Sequence, residues 1–99
     1  MARFDIYLNR GGDGYLLDVQ SDLLSGLNTR VVVPLLPRKG APTPAQRLNP
    51  VFLLEGGEVV MATQFLAAVP ETELQASIGS LDHAVDEVQA ALDMLFLGF

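Results

Sequence analysis

Few side chains in this sequence have the types that chemistry needs, and their spacing argues against most of it. The single histidine, His83, has no Ser or Asp at a spacing diagnostic of a nucleophile and base, so it reads as a surface or capping residue. Two glycine-rich stretches, Gly11-Gly12-Asp13-Gly14 and Glu55-Gly56-Gly57-Glu58, could cradle a phosphate only between a strand and a helix. Both fall between apolar runs of strand type, which makes them turns. Asp82, Asp86 and Glu87 read as the solvated face of a helix, because a cation site needs carboxylates converging from other elements. With no cysteine, disulfides, thiolate metal sites and cysteine nucleophiles are excluded. No metal or cofactor is expected.

The elements that must position these residues follow from hydrophobic periodicity. Phe4 to Leu8 and Tyr15 to Val19 flank the Gly-Asp-Gly tip and predict an antiparallel hairpin. Arg30 to Leu36 is dense in β-branched residues and predicts a central strand, with a bend or an edge at Pro34, which has no N–H to give. The stretch Pro37 to Gln46 holds three of the six prolines and predicts a loop. Val51 to Leu54 and Val59 to Ala62 predict a second hairpin, with the Gly56-Gly57 pair supplying positive φ, and Gln64 to Val69 a further strand stopped by Pro70. From Leu81 the period lengthens to 3.6 residues. Leu81, Val85, Val88, Leu92 and Leu95 form one stripe, so an amphipathic helix is expected from Leu81 to Leu97 with Ser80 as its N-cap.

Ninety-nine residues, 49% of them hydrophobic, suffice for one domain spanning 1–99 with a single core. The N-terminus lacks the apolar run of a signal peptide, and the longest uncharged stretch, Val59 to Pro70, is too short to span a bilayer. A cytoplasmic location is the expectation. Charge is unevenly divided. All six Lys and Arg precede residue 48 against four carboxylates, a net +2, while the remainder holds eight carboxylates and no cation. Direct nucleic-acid binding is not expected of such a chain, since phosphate affinity needs clustered Lys and Arg.

The chain finishes on Asp93-Met94-Leu95-Phe96-Leu97-Gly98-Phe99, an apolar end where frayed polar residues are usual. Met94, Phe96 and Leu97 lie off the core stripe. That surplus apolar face predicts a homodimer built through the helix.

The order and spacing of Asp18-Val19-Gln20-Ser21-Asp22, Arg30 with Val33-Pro34-Leu35, Pro50-Val51, Val69-Pro70 and the closing Met94 to Phe99 resembles the CcdB family of bacterial toxins, from about Phe4 to Phe99. The resemblance implies a β-rich α+β fold, a small SH3-like antiparallel barrel or sheet with a C-terminal α-helix, assembled as a homodimer. It implies a type II toxin that binds the A subunit of DNA gyrase, traps the enzyme while DNA is cleaved, and catalyses nothing itself. The matching target-binding residues are Leu23, Leu24, Asp93, Phe96, Leu97, Gly98 and Phe99. The family pattern has Asn where Asp93 stands and Trp where Leu97 stands, and Leu cannot stack on an arginine as an indole does. A CcdA-like antitoxin, disordered and acidic, is expected across the first hairpin and the Pro-rich loop, against Asn9, Arg10, Asp13, Tyr15, Arg38, Lys39 and Arg47. Two alternatives stand beside this reading. One is a relative that is non-toxic or has another target. The other is an RNA-cleaving toxin of the MazF and Kid type, which shares a related barrel. RNA cleavage needs cations for phosphate and an acid–base pair, and the second half of the chain supplies no cation.

Overall fold

One strand organises the molecule. The computed structural model describes all residues from Met1 to Phe99, and in it β3 (Thr29–Pro37) is bonded on one side to β2 (Tyr15–Asp18) and on the other to two strands in succession. Its first half pairs with β6 (Ala67–Pro70) and its last three residues with β5 (Gly57–Met61). With β1 (Asp5–Leu8), β4 (Val51–Leu54) and the two-residue β7 (Gly79–Ser80), the sheet runs β4-β5-β3-β2-β1-β7, antiparallel throughout. It curls into a half-barrel, and α1 (Val85–Leu97) packs inside the curl. The small β-rich α+β fold with a C-terminal helix is as the sequence predicts.

Pro34 does not bend β3 or put it at an edge. The strand runs straight through it, because the position where its N–H is missing faces the point at which β3 changes neighbours. Ala62 still donates its N–H to the Pro34 carbonyl at 2.9 Å, and the Ala62 carbonyl accepts instead from Phe65 N–H at 2.8 Å. That bond closes the 3-10 turn Thr63–Phe65, which occupies the first part of the strand expected from Gln64. The second hairpin forms as expected, but the residues with positive φ in its turn are Glu55 (50°) and Gly56 (79°), not the glycine pair. Both central residues being left-handed makes it a type I′ turn.

The helix is shorter than its period suggests. Residues Asp82–Ala84 form a 3-10 turn with Leu81 at its N-cap, α1 begins at Val85 after Ala84, and Ser80 is therefore not the cap expected, although its hydroxyl accepts from Asp82 N–H at 3.0 Å. Val85 and Leu95 leave the core stripe, which consists of Leu81, Ala84, Val88, Ala91 and Leu92. These meet Ile6, Leu17, Val33, Leu35, Phe52, Val59 and Met61 from the sheet. Each large side chain buried here contributes about 1.5–3 kcal/mol relative to exposure. A second, smaller cluster of Tyr7, Val32 and Leu74 covers the other face, where the 3-10 turn Glu71–Glu73 brings Leu74 down onto the sheet.

Candidate functional site

Two regions on the surface gather residues singled out by sequence, and a buried ion pair lies between β2 and β3. Asp18 at the end of β2 and Arg30 at the start of β3 are 0% and 1% exposed. Arg30 Nε–H donates to Asp18 Oδ2 at 2.8 Å, and Asp18 Oδ1 accepts from Gln20 N–H at 3.0 Å. Arg30 Nη2 stands 2.6 Å from the same Oδ2 yet is not aligned for a hydrogen bond, so the contact is an ion pair rather than a bidentate fork. Burial pushes the Asp18 carboxyl up, against the pull of the guanidinium. Tyr7 shares this face, and burial, followed by the nearby Asp5 and Asp18 charges, raises its hydroxyl to about 12. Sealed from solvent, these groups hold the sheet together and are not placed to meet a substrate.

The first surface region is a cleft of about 560 Å³ between the β1–β2 tip and the 3-10 turn Arg38–Gly40, with Asn9, Asp13, Pro37 and Lys39 in its walls. The tip is braced from within. Asn9 accepts from Gly11 N–H at 3.1 Å and donates to the Asp13 carbonyl at 3.4 Å, so its amide belongs to the loop. Gly14, at φ 82°, lies so close to β3 that a Cβ would run into the Leu35 carbonyl. The tip is therefore fixed against the strand that leads to Lys39. What the cleft offers a ligand is one carboxylate, Asp13, and one ammonium, Lys39, both exposed. Arg10 sits on the same tip. Arg38 turns to Glu58 at 3.3 Å, Arg47 lies outside the cleft in the following loop, and Tyr15 faces away, its hydroxyl donating to Glu55 at 3.5 Å. Of the seven residues expected against an antitoxin, the cleft unites Asn9, Asp13 and Lys39.

The second region is an apolar groove of about 500 Å³ between α1 and the 3-10 turn Asp22–Leu24, walled by Leu24, Leu27, Leu66, Leu92 and Phe96 with Asp93 beside them. Arg3 ties its ends together, donating through Nε to the Val19 carbonyl at 3.0 Å and through Nη2 to Gln89 Oε1 at 3.2 Å. Gln89 in turn donates to Asp93 at 3.0 Å. Leu23 (94% exposed) and the tip residues Phe96 (66%), Leu97 (60%) and Phe99 (74%) present apolar surface to solvent. Gly98 ends the helix in the left-handed conformation at φ 80°, its N–H donating to the Asp93 and Met94 carbonyls. Leu24, Asp93 and Phe96 thus share the groove, while Leu23, Leu97, Gly98 and Phe99 do not line it.

The half-barrel packed around one helix, with a cleft of mixed charge at one hairpin tip and an exposed apolar helix end, is that of a toxin of the toxin–antitoxin class on the strength of its family. The chain belongs to the CcdB family, whose model, described as CcdB protein, matches residues 3–98. Among solved structures, it is similar to an endoribonuclease in complex with its cognate antitoxin from a mycobacterial species, at 17% identity and a TM-score of 0.76, over 100% of this chain and 98% of that one. It is likewise similar to an endoribonuclease from a mycobacterial species, at 16% identity and a TM-score of 0.75, over 100% and 94% of the two chains. These neighbours overturn the expectation that the domain catalyses nothing: the fold assigned to a non-enzyme is one that these two endoribonucleases carry along nearly all of their length. The expectation of no direct contact with nucleic acid loses its support with it. No helix is long and apolar enough to cross a membrane.

Proposed function

We propose that this protein is the toxin of a type II toxin–antitoxin module, cytoplasmic and homodimeric, and that its toxic act is cleavage of RNA. The observation that carries the reading is that an exposed carboxylate and an exposed ammonium, Asp13 and Lys39, line the same surface cleft, with Arg10 on the same hairpin tip. Cleavage by the adjacent 2′-hydroxyl needs a base to take its proton and a cation beside the phosphate as charge builds on it. Asp13 is the base. Lys39 is the cation, with Arg10 reaching from the tip. The 2′-oxygen forms a bond to phosphorus, the bond to the 5′-oxygen breaks, and water returns a proton to the leaving oxygen.

The same rim suits an acidic, disordered antitoxin segment, which would engage Asn9, Arg10, Asp13, Tyr15, Arg38, Lys39 and Arg47 and cover the cleft. Neutralisation is then occlusion of the RNA site. The test is cleavage of a fluorogenic RNA by the purified chain, with Asp13→Asn and Lys39→Ala each lowering the rate about 100-fold or more at unchanged melting temperature. Intact RNA, or cleavage by both variants at the wild-type rate, would sink the reading.

A second reading rests on a different observation, the exposed apolar tip. Leu23, Leu24, Asp93, Phe96, Leu97, Gly98 and Phe99 form a surface suited to the dimerisation region of the gyrase A subunit, and a two-fold dimer carries that tip twice. A gyrase cleavage-complex assay run on the same preparation separates the two.

A further inference from the structure

The curled sheet does not close on itself, and its free edge is unusually undefended. In the β4–β5 hairpin the two-residue type I′ turn makes Leu54 and Gly57 a hydrogen-bonded pair, and Met61 N–H donates to the Pro50 carbonyl at 2.9 Å at the other end of the same ladder. Bonded pairs alternate, so Phe52 is bonded to Val59, while the N–H and C=O groups of Val51 and Leu53 point away from β5. Neither residue has a hydrogen-bond partner on that side, and Leu53 is 72% exposed. Edge strands usually carry Lys, Pro or a bulge to prevent pairing. β4 has none of these. β6, the comparable edge, places Pro70 at an outward position and so withholds a donor there.

Across the gap from β4 stand β1 and β7. The space between them is a pocket of about 110 Å³ walled by Ile6, Tyr15, Leu54, Glu55 and Ile78. It has the size of one aliphatic side chain. No Lys or Arg lines it, and its one charged group, Glu55, receives only the 3.5 Å bond from the Tyr15 hydroxyl that spans the seam.

We propose that the seam between β4 and β7 accepts an extended segment of a partner polypeptide as an added strand, bonded to the main chain of Val51 and Leu53. Its inward side chains are apolar, one of them filling the pocket beside Leu54. Its flanking residues are basic, because Glu55 at the turn is the one charged group of the pocket and no cation lines it, while Glu58 beside Leu53 is already shared with Arg38. Strand addition of this kind draws affinity from main-chain bonds and selectivity from alternate side chains. The surface is separate from the cleft and from the helix tip, so it does not depend on which toxic activity the chain has.

The probe is a blocked hexapeptide of alternating Lys and Val, with the Glu–Val peptide as its counterpart, read by amide hydrogen exchange in NMR. Addition of the Lys–Val peptide is expected to slow exchange of the Val51 and Leu53 amides at least tenfold while leaving Phe52 and Leu54, already bonded to β5, unchanged. Leu53→Pro should abolish the effect at unchanged fold, since that N–H is outside the β4–β5 ladder. Glu55→Lys should transfer preference to the Glu–Val peptide and covers the case in which the proline variant does not fold. Exchange that is unaltered by either peptide overturns the proposal, as does binding that protects other amides. Protection of Val51 and Leu53 that grows with protein concentration alone also overturns it, by showing a second copy of this chain in the seam.

Discussion

Asp18 and Arg30 face each other between β2 and β3 with 2.6 Å separating Oδ2 from Nη2, and neither reaches water. Such a pair costs desolvation on both sides, so its value lies in mutual compensation. Arg30→Met alone strands a buried carboxylate and is expected to cost about 3–5 kcal/mol in urea unfolding. Replacing both, Asp18→Leu with Arg30→Met, is expected to recover most of that loss. Additive losses in the double variant would show that the two charges do not act as a pair.

Gly14→Ala should be destabilising well beyond an ordinary surface change. The residue is at φ 82° and its Cβ would meet the Leu35 carbonyl, a backbone atom that cannot swing aside. Strain and overpacking together put the loss at about 2–4 kcal/mol. Gly12→Ala, on the same tip with only the Asn9 side chain at 3.6 Å, is expected to be near neutral by thermal melting.

Alkaline unfolding should carry the signature of Tyr7. Its folded hydroxyl holds its proton to about 12, whereas the unfolded chain releases it from 10.0. The unfolded state therefore loses protons first, and stability is full below pH 10 and declines as pH rises from 10 to 12. The expected decline is about 1–3 kcal/mol. Urea midpoints of wild type and Tyr7→Phe across that range check it, because the variant should lack this component.

Deleting Leu97 to Phe99 removes side chains that are all exposed. Unfolding free energy is expected to change by no more than about 1 kcal/mol, the scale of a lost helix cap. RNA cleavage should persist and any trapping of gyrase should vanish. Loss of the folded state would make the tip a structural element.

Much of this was legible beforehand. The two hairpins could be read because Gly11-Gly12-Asp13-Gly14 and the Gly56-Gly57 pair announce turns between apolar runs, although the second turn places its positive φ at Glu55 and Gly56. The helix start could not, since Leu81 to Ala84 keep the apolar spacing of an α-helix while adopting a 3-10 turn. Pro34 was misread because a sequence does not show that a strand changes neighbours midway. The ion pair left a signal that periodicity passes over: opposite charges, Asp18 and Arg30, adjoining the apolar runs of two strands expected to lie side by side. Of the cleft, composition gave the cations but not their separation, and only the folded tip shows that Lys39 joins Asp13 while Arg38 turns aside to Glu58.

The exchange of neighbours along β3 also sets the order in which the molecule can assemble. Residues 29–37 have only β2 available from the sequence before them; both strands on their other side, and the helix beneath, come from the second half of the chain. A nascent chain on the ribosome can form the first hairpin and little more, for the bonds that fix β3 await Pro70 and its inner face awaits α1. Folding dominated by such distant partners is slow, and it falls late in synthesis. The cleft wall contributed by Lys39 hangs on β3, so the tip of the first hairpin exists before the site that it helps to form.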